Sequence, residues 1–512
     1  MSHIFVYGPP GTGKSTVGKK LAGNLKLPFI DLDRVIETNA GMSIPQIMKQ
    51  HGESTFRDLE TAVLKNLSNE KESVVALGGG TLLRDENRAL AESNGRVILL
   101  MAELTTLLKR LHVDSGKRPL LAGDLNKNLS SLLKKREEHY NSFPLIIHVD
   151  GKTIGQNAHQ TQIALGRHHL SAMGEYDVVV QRYGIEQIGE MLESRELRNP
   201  IVVTDENVAR IHSDIVVASL RSSGFEPRVL TVPAGEAYKN LETIGRLWHG
   251  FLDAGLDRKS TVVALGGGVI GDMAGFAAST YMRGIAWVCL PTTLLAMVDA
   301  SLGGKTGFDL PEGKNLIGSF YPPKLVFADP QFLGTLPEAE LISGMAEVVK
   351  HGIISDPELF NVCAHGLDWV KNNLEDIVKR AMAVKIKVIE EDPYEKGSRA
   401  ALNLGHTVGH AVELVSKFRL RHGEAIAVGM VAEAKYSARV GLADTELVEA
   451  VTESLKTLGL PIQIPEEMSR KEIIRAMRVD KKRNAKAIRF ALPVEIGKVE
   501  LVDVTDLDSV LE

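Results

Sequence analysis

The stretch IFVYGPPGTGKST at residues 4–16 constrains this chain more than any other part of it. A short apolar run, Ile4 to Tyr7, meets a loop in which Gly8, Gly13, Lys14 and Ser15 satisfy G-x-x-x-x-G-K-[ST], and a helical pattern runs on from Lys14. A strand, a glycine loop and a helix in that order place backbone N–H groups around phosphates at a helix N-terminus, where Lys14 reaches the outer phosphates and Ser15 meets magnesium. The pattern predicts a parallel α/β fold that binds ATP and Mg2+ through Gly11, Thr12, Gly13, Lys14, Ser15 and Thr16. The loop does not name the acceptor.

At 512 residues the chain exceeds the roughly 250 to 300 residues that one hydrophobic core supports, so two or three domains are expected. The 60 basic and 65 acidic residues give a formal net charge of -5, which argues against a polyanionic partner such as nucleic acid. Cations that matter should sit in local pockets for small phosphates and carboxylates. The only cysteines, Cys289 and Cys363, have no second thiol nearby, and no leader-like segment or apolar run of about 18 to 20 residues is visible. These features read as a cytoplasmic chain without disulfides or membrane spans.

Further strands are expected at 28–31, 73–77, 96–100 and 145–149, with helical stretches between them, as in a small kinase fold built on a parallel sheet. FIDLD, read as extended chain, puts Asp31 and Asp33 on one side, suited to a metal and a hydroxyl-bearing acceptor; the same acids could instead cap the next helix. Taken together, GPPGTGKST, FIDLD, GESTFRDLE, ALGGGT, KRPLLAG and KKREEHYNSFP resemble the shikimate kinases over about residues 1–150. The resemblance implies Asp31 near magnesium, Asp33 on the acceptor hydroxyls, Arg57 (with its partner Glu60) and Arg136 on the carboxylate, Gly78 to Gly80 against the substrate, and Arg118 in a lid over ATP. Pro9 and Pro10 stand where that family usually carries bulkier residues. The kinase domain is placed at 1–155 and a polar, small-residue linker at 156–174.

A second α/β domain is expected at 175–335. EYDVVV and NPIVVTDENVA read as strands, and STVVALGGGVIGDMAGFAAS reads as a buried strand, a glycine loop and a helix. GGGVIG matches G-x-G-x-x-G, yet no lone acidic residue stands at the expected strand end some ~20 residues on, so a standard dinucleotide site is not implied. From 336 to 512 the pattern turns mostly helical. There His406 and His410 lie at i and i+4, with His422 beyond, a set able to make an open metal site; spacing alone nominates His406 and His410 as the ligands.

This second portion is similar to the 3-dehydroquinate synthases from about residue 175 to the end. The resemblance implies a zinc or cobalt ion on Glu347, His406 and His422, with His410 moving protons at the substrate. It implies NAD+ held by Asp205, Asn207, Glu236, Lys239, Gly268, Val269, Asp272, Thr292, Thr293, Lys305 and Lys314. Asp299, Lys350, Lys385, Arg399 and Asn403 would surround the substrate's carboxylate and hydroxyls, and Lys305, Asn315, Arg283 and Lys481 its phosphate, with Arg283 reaching over from a second subunit of a homodimer. The implied reaction turns 3-deoxy-arabino-heptulosonate 7-phosphate into 3-dehydroquinate and phosphate. A different small-molecule kinase fused to a metal-dependent polyol dehydrogenase would share the architecture without needing the phosphate-binding lysines. A scaffold with dead sites would share it without turnover.

Overall fold

The computed structural model describes residues 3–112, 124–480 and 487–512, with the side chains of Val479 and Asp480 excepted. Arg118 and Lys481 lie outside the described residues. The chain divides into two compact units, Met1–His169 and Leu170–Glu512.

The first unit is built on five parallel strands: β1 (His3–Tyr7), β2 (Phe29–Asp31), β3 (Val74–Ala76), β4 (Gly95–Met101) and β5 (Ile146–His148). Their order is β2-β3-β1-β4-β5. Strand β1 is buried on both faces, and its residues alternate between two cores. Ile4 and Val6 join Val74, Ile98 and Leu100 on one side, while Phe5 and Tyr7 join Val75, Val97 and Leu99 on the other. That is the period-two consequence of a strand sandwiched between helical layers. Because all five strands run the same way, the loops after β1, β2 and β3 meet at one edge, where ligands of open parallel sheets bind.

A short strand, β6 (Arg167–Leu170), falls at the division of the chain, and the second unit carries a sheet of β7 (Tyr176–Val180), β8 (Arg198–Asp205), β9 (Arg228–Val232), β10 (Ser260–Gly266), β11 (Ala286–Pro291) and β14 (Leu325–Ala328). Its order is β7-β14-β11-β10-β8-β9. Between β11 and β14 the chain makes an antiparallel hairpin, β12 (Lys305–Leu310) with β13 (Gly313–Phe320). The C-terminal ends of β8, β10 and β11 are neighbours, so Asp205, Gly266 to Gly268 and Thr292 to Thr293 share one rim. Helices dominate after residue 336, as expected, but a second hairpin, β15 (Ile488–Glu495) with β16 (Lys498–Val504), packs Phe490 and Leu492 against Val408, Val412 and Val428 of the helices.

The segment 156–174 is not an unstructured linker. Ile154–Leu165 is a helix with a capping box in which Thr153 and Gln156 satisfy each other's backbone N–H groups. Leu165 joins the first unit's core, and Asn24 Nδ2 donates to Gln162 Oε1 at 2.8 Å. The T-x-x-Q signature was legible in the sequence; the small polar residues after it hid the helix because its buried face holds Asn157, Thr161 and Gln162 instead of a run of aliphatics.

Candidate active sites

In the first unit the phosphate loop depends on its glycines. Gly8, Gly11 and Gly13 have φ of 144°, 86° and 90°, and a Cβ on Gly8 would lie 2.2 Å from the Leu100 carbonyl oxygen. Lys14 Nζ folds back to donate to the carbonyls of Gly8 and Pro9 at 2.9 and 3.1 Å, so it lies across the loop that would cradle a phosphate. Ser15 Oγ donates to Asp31 Oδ2 at 2.7 Å, which sets a hydroxyl and a carboxylate together as a magnesium site requires.

Asp31 and Asp33 do not both lie on extended chain. Strand β2 ends at Asp31, which caps the helix Leu32–Ala40 by accepting from the Arg34 N–H at 3.4 Å, and Asp33 sits in that helix's first turn. Asp31 therefore caps the helix with one oxygen and accepts from Ser15 with the other. Asp33 Oδ1 is buried without a hydrogen-bond partner. Burial, with repulsion from Asp31 and Glu60, pushes its carboxyl up to about 6 against the pull of Lys14.

Around Asp33 the acceptor pocket closes. Arg57 Nη1 donates to the fully buried Glu60 at 2.7 Å, and Thr81 Oγ1 donates to the same carboxylate. A Cβ on Gly78 would meet Asp33 and Glu60 at 3.0 Å, and one on Gly80 would meet Arg57 Nη2 at 2.7 Å, so the glycine loop is packed against these charges. Arg136 Nη1 donates to the Gly79 carbonyl at 2.7 Å. Arg136 occupies the break between the helices Leu125–Lys135 and Glu137–Asn141, not a continuous helix.

In the second unit the glycine loop after β10 leads into the helix Gly268–Thr280, with Val269 in its first turn. A Cβ on Gly267 would meet Thr293 at 3.2 Å and one on Gly268 would meet Ala300 at 3.3 Å, so the rim is closely packed there. Lys239 Nζ lies 2.8 Å from Asp272 and donates to Asn315 Oδ1 at 2.5 Å, which brings three expected site residues together. Asn315 holds φ of 54° in the hairpin. Lys314 stands 3.6 Å from Glu236. Asp205 caps the helix Glu206–Ser222 through the Asn207 and Val208 N–H groups. The Thr292 hydroxyl is buried without a hydrogen-bond partner.

Beside this rim lies a dense charge cluster. Lys385 Nζ donates to Asp299, Lys350 Nζ is 3.9 Å from Asp299, and Lys350 pairs with Glu347. Asp299 is presented by a π-helical turn, Ala296–Ala300, a form enriched at functional sites. Arg399 and Asn403 come from the turn Ser398–Asn403, where Arg399 Nη1 donates to the Pro393 carbonyl at 2.5 Å. Lys305 pairs with Glu395. Arg283 is exposed on the turn Tyr281–Arg283 at φ 70°.

Glu347 comes from the helix Glu338–Ser355 and is completely buried, with its Oε2 paired to Lys350 Nζ. His406 Nε2 and His422 Nε2 lie 3.4 and 3.5 Å from its Oε1. One carboxylate and two imidazoles, all within 4.8 Å of one another, fit a divalent metal with open positions for substrate. Burial opposes the charge on His422, yet hydrogen bonds to Glu347 and Glu413 push it up to about 9. His410, on the same helix face as His406, has its ring 5.1 Å from His406 and 5.8 Å from His422. The structure therefore groups Glu347 with His406 and His422, where spacing alone had paired His406 with His410.

Glycines that local motifs did not single out make this approach possible. A Cβ on Gly429 would lie 2.0 Å from the Gly405 carbonyl oxygen, and one on Gly423 would lie 1.8 Å from the Ser343 carbonyl oxygen. The helices His406–Val415 and His422–Arg439 thus touch backbone to backbone, and the latter abuts the helix of Glu347.

The family models described as 3-dehydroquinate synthase N-terminal and 3-dehydroquinate synthase C-terminal match residues 229–343 and 344–483. The 3-dehydroquinate synthase of Nostoc punctiforme is 43% identical over 343 residues, 65% of this chain and 94% of that protein. The chain belongs to the 3-dehydroquinate synthase family. Another 3-dehydroquinate synthase, from Symbiobacterium thermophilum, is 44% identical over 342 residues, covering 65% of this chain and 96% of that protein. A solved 2-deoxy-scyllo-inosose synthase, complexed with carbaglucose-6-phosphate, NAD+ and Co2+, is 29% identical at a TM-score of 0.61, over 66% of this chain and 96% of its own. The shikimate kinase family model matches residues 10–164. The chain is therefore a bifunctional enzyme, a shikimate kinase in its first unit and a 3-dehydroquinate synthase in its second. No helix among the described residues is long and apolar enough to cross a membrane.

Proposed function

We propose that the two reactions run on the residues named in the sequence analysis. In the first unit Gly11 to Thr16 hold ATP, Ser15 and Asp31 hold Mg2+, Arg118 covers the phosphates, and Arg57 and Arg136 clamp the shikimate carboxylate. Asp33 accepts the proton of the attacking hydroxyl. The buried, unpartnered oxygen of Asp33 supports that role, since a base is most effective when its pKa lies near the working pH.

In the second unit Glu347, His406 and His422 hold a zinc or cobalt ion, while Asp205, Asn207, Glu236, Lys239, Gly268, Val269, Asp272, Thr292, Thr293, Lys305 and Lys314 hold NAD+. When bound, these groups supply Lewis-acid activation of a substrate hydroxyl and a reversible hydride acceptor. Lys350, Lys385, Arg399 and Asn403 orient the carboxylate and hydroxyls of 3-deoxy-arabino-heptulosonate 7-phosphate, with Asp299 holding Lys385 in place. Lys305, Asn315, Lys481 and Arg283 of a second copy take its phosphate, which makes the working form a homodimer. His410, whose ring lies 5.1 Å from that of His406 and 5.8 Å from that of His422, moves protons at the substrate. The chain works in the cytoplasm, where its free, buried thiols stay reduced.

The observation that carries the synthase reading is the fully buried Glu347 carboxylate, whose Oε1 faces two imidazole nitrogens. Phosphate release from 3-deoxy-arabino-heptulosonate 7-phosphate is measured before and after chelation, with zinc or cobalt added back. Loss on chelation and recovery with metal are expected; activity that survives complete chelation refutes the metal centre. In the same preparation, shikimate-dependent ADP release tests the kinase half.

A further inference from the structure

We infer that Glu413 is a positioning residue for the metal centre, fixing the tautomer of His422 and tying that ligand to the β12–β13 hairpin through Lys314. The inference rests on the reading of Glu347, His406 and His422 as metal ligands and extends it to a residue outside the ligand set.

A neutral imidazole has one lone pair, and the partner of its other nitrogen decides where that pair lies. His406 Nδ1 is 3.0 Å from the Leu404 carbonyl oxygen. A carbonyl only accepts, so Nδ1 carries the proton and Nε2 offers its lone pair toward Glu347. His422 reaches the same state differently. Its Nδ1 is 3.3 Å from Glu413 Oε2, and an ionised carboxylate also only accepts. With a metal in place of the His422 Nε2 proton, the two rings would present matching Nε2 lone pairs to one point, but His406 is set by main chain and His422 by a side chain that substitution can remove.

Glu413 is itself held. Its other oxygen accepts from Lys314 Nζ at 3.1 Å, and its side chain is only 11% exposed. Lys314 in turn lies 3.6 Å from Glu236 and 4.3 Å from the centre of the Phe418 ring. A structural ion pair with Lys314 would account for Oε1 alone; it leaves Oε2 on the ligand imidazole unexplained. Glu413 also shares the helix His406–Val415 with His406, so one rigid element carries one ligand and the anchor of the other. Such outer partners orient metal ligands and raise their basicity.

The test is Zn2+ affinity of the full-length, metal-stripped chain, measured by competition with a chromophoric chelator, for wild type, Glu413→Met, Glu413→Gln and His422→Ala. Methionine fills the space without accepting a hydrogen bond, and thermal unfolding in EDTA checks that each variant folds. Glu413→Met is expected to bind zinc about 10- to 100-fold more weakly, whereas Glu413→Gln, whose amide oxygen still accepts the Nδ1 proton, should lose only a few-fold. Wild-type affinity in Glu413→Met, with His422→Ala impaired, overturns this inference and leaves the metal centre intact. Equal losses in the Met and Gln variants overturn the tautomer account. Undiminished affinity in His422→Ala overturns the metal-centre reading itself.

Discussion

Lys385 donates to both the side chain and the main-chain carbonyl of Asp299, at 2.6 and 2.8 Å. Burial disfavours charge on both residues, but each holds the other ionised: Lys385 keeps the Asp299 carboxyl well below the usual carboxylate range, while burial draws the Lys385 ammonium down. Lys385→Met strands a carboxylate whose nearest remaining cation, Lys350, is 3.9 Å away. A stability loss of about 3 kcal/mol is expected, the lower end for breaking a buried pair, and adding Asp299→Asn should restore part of it. Urea unfolding of the two variants measures both numbers.

The two active sites draw on separate units, so their losses should separate. Lys14→Ala is expected to abolish shikimate-dependent ADP release with synthase turnover unchanged, and His422→Ala to do the reverse. Paired assays on each purified variant decide it; a joint loss from either change would show that the sites are not independent.

Gly429→Ala would drive a methyl group to 2.0 Å from the Gly405 carbonyl oxygen, one residue before His406. The helices carrying His406 and His422 must then part. Metal affinity and synthase kcat should fall together by at least about 10-fold, because a three-ligand site tolerates little displacement of its donors. Equilibrium dialysis against zinc, run beside the activity assay, checks the expectation.

Cys289 and Cys363 are buried, and burial pushes both thiols up to about 12. The thiolate is the reactive form, so the native chain should show almost no reaction with a disulfide reagent at pH 8 and two equivalents after denaturation. Rapid modification of the native protein contradicts this packing.

His168, on β6, is buried, and burial with nearby His159 lowers it to about 3. The unfolded chain binds a proton there below about 6.5 and the folded chain does not, so stability is lost as pH falls from about 6.5 toward 3. His168→Gln should narrow the difference between thermal midpoints at pH 7.5 and pH 5.0, read by calorimetry.

What the sequence determined by itself was whatever a few neighbouring residues can encode. IFVYGPPGTGKST dictates a strand, a loop of positive-φ glycines and a helix because those dihedrals and that periodicity are local. The apolar runs that became β7, β8 and β10 were legible for the same reason, as was the i, i+4 pairing of His406 with His410. Tertiary structure alone decided that Glu347, on a distant helix, faces His406 and His422, that Glu413 sets the His422 tautomer, and that Asp31 ends a strand while Asp33 begins a helix. It also turned 156–174 from an apparent linker into a helix and a strand. Those outcomes depend on backbone approach at Gly405, Gly423 and Gly429 and on which buried polar groups find partners. Such closures are made by packing between remote segments and leave no periodic trace along the chain.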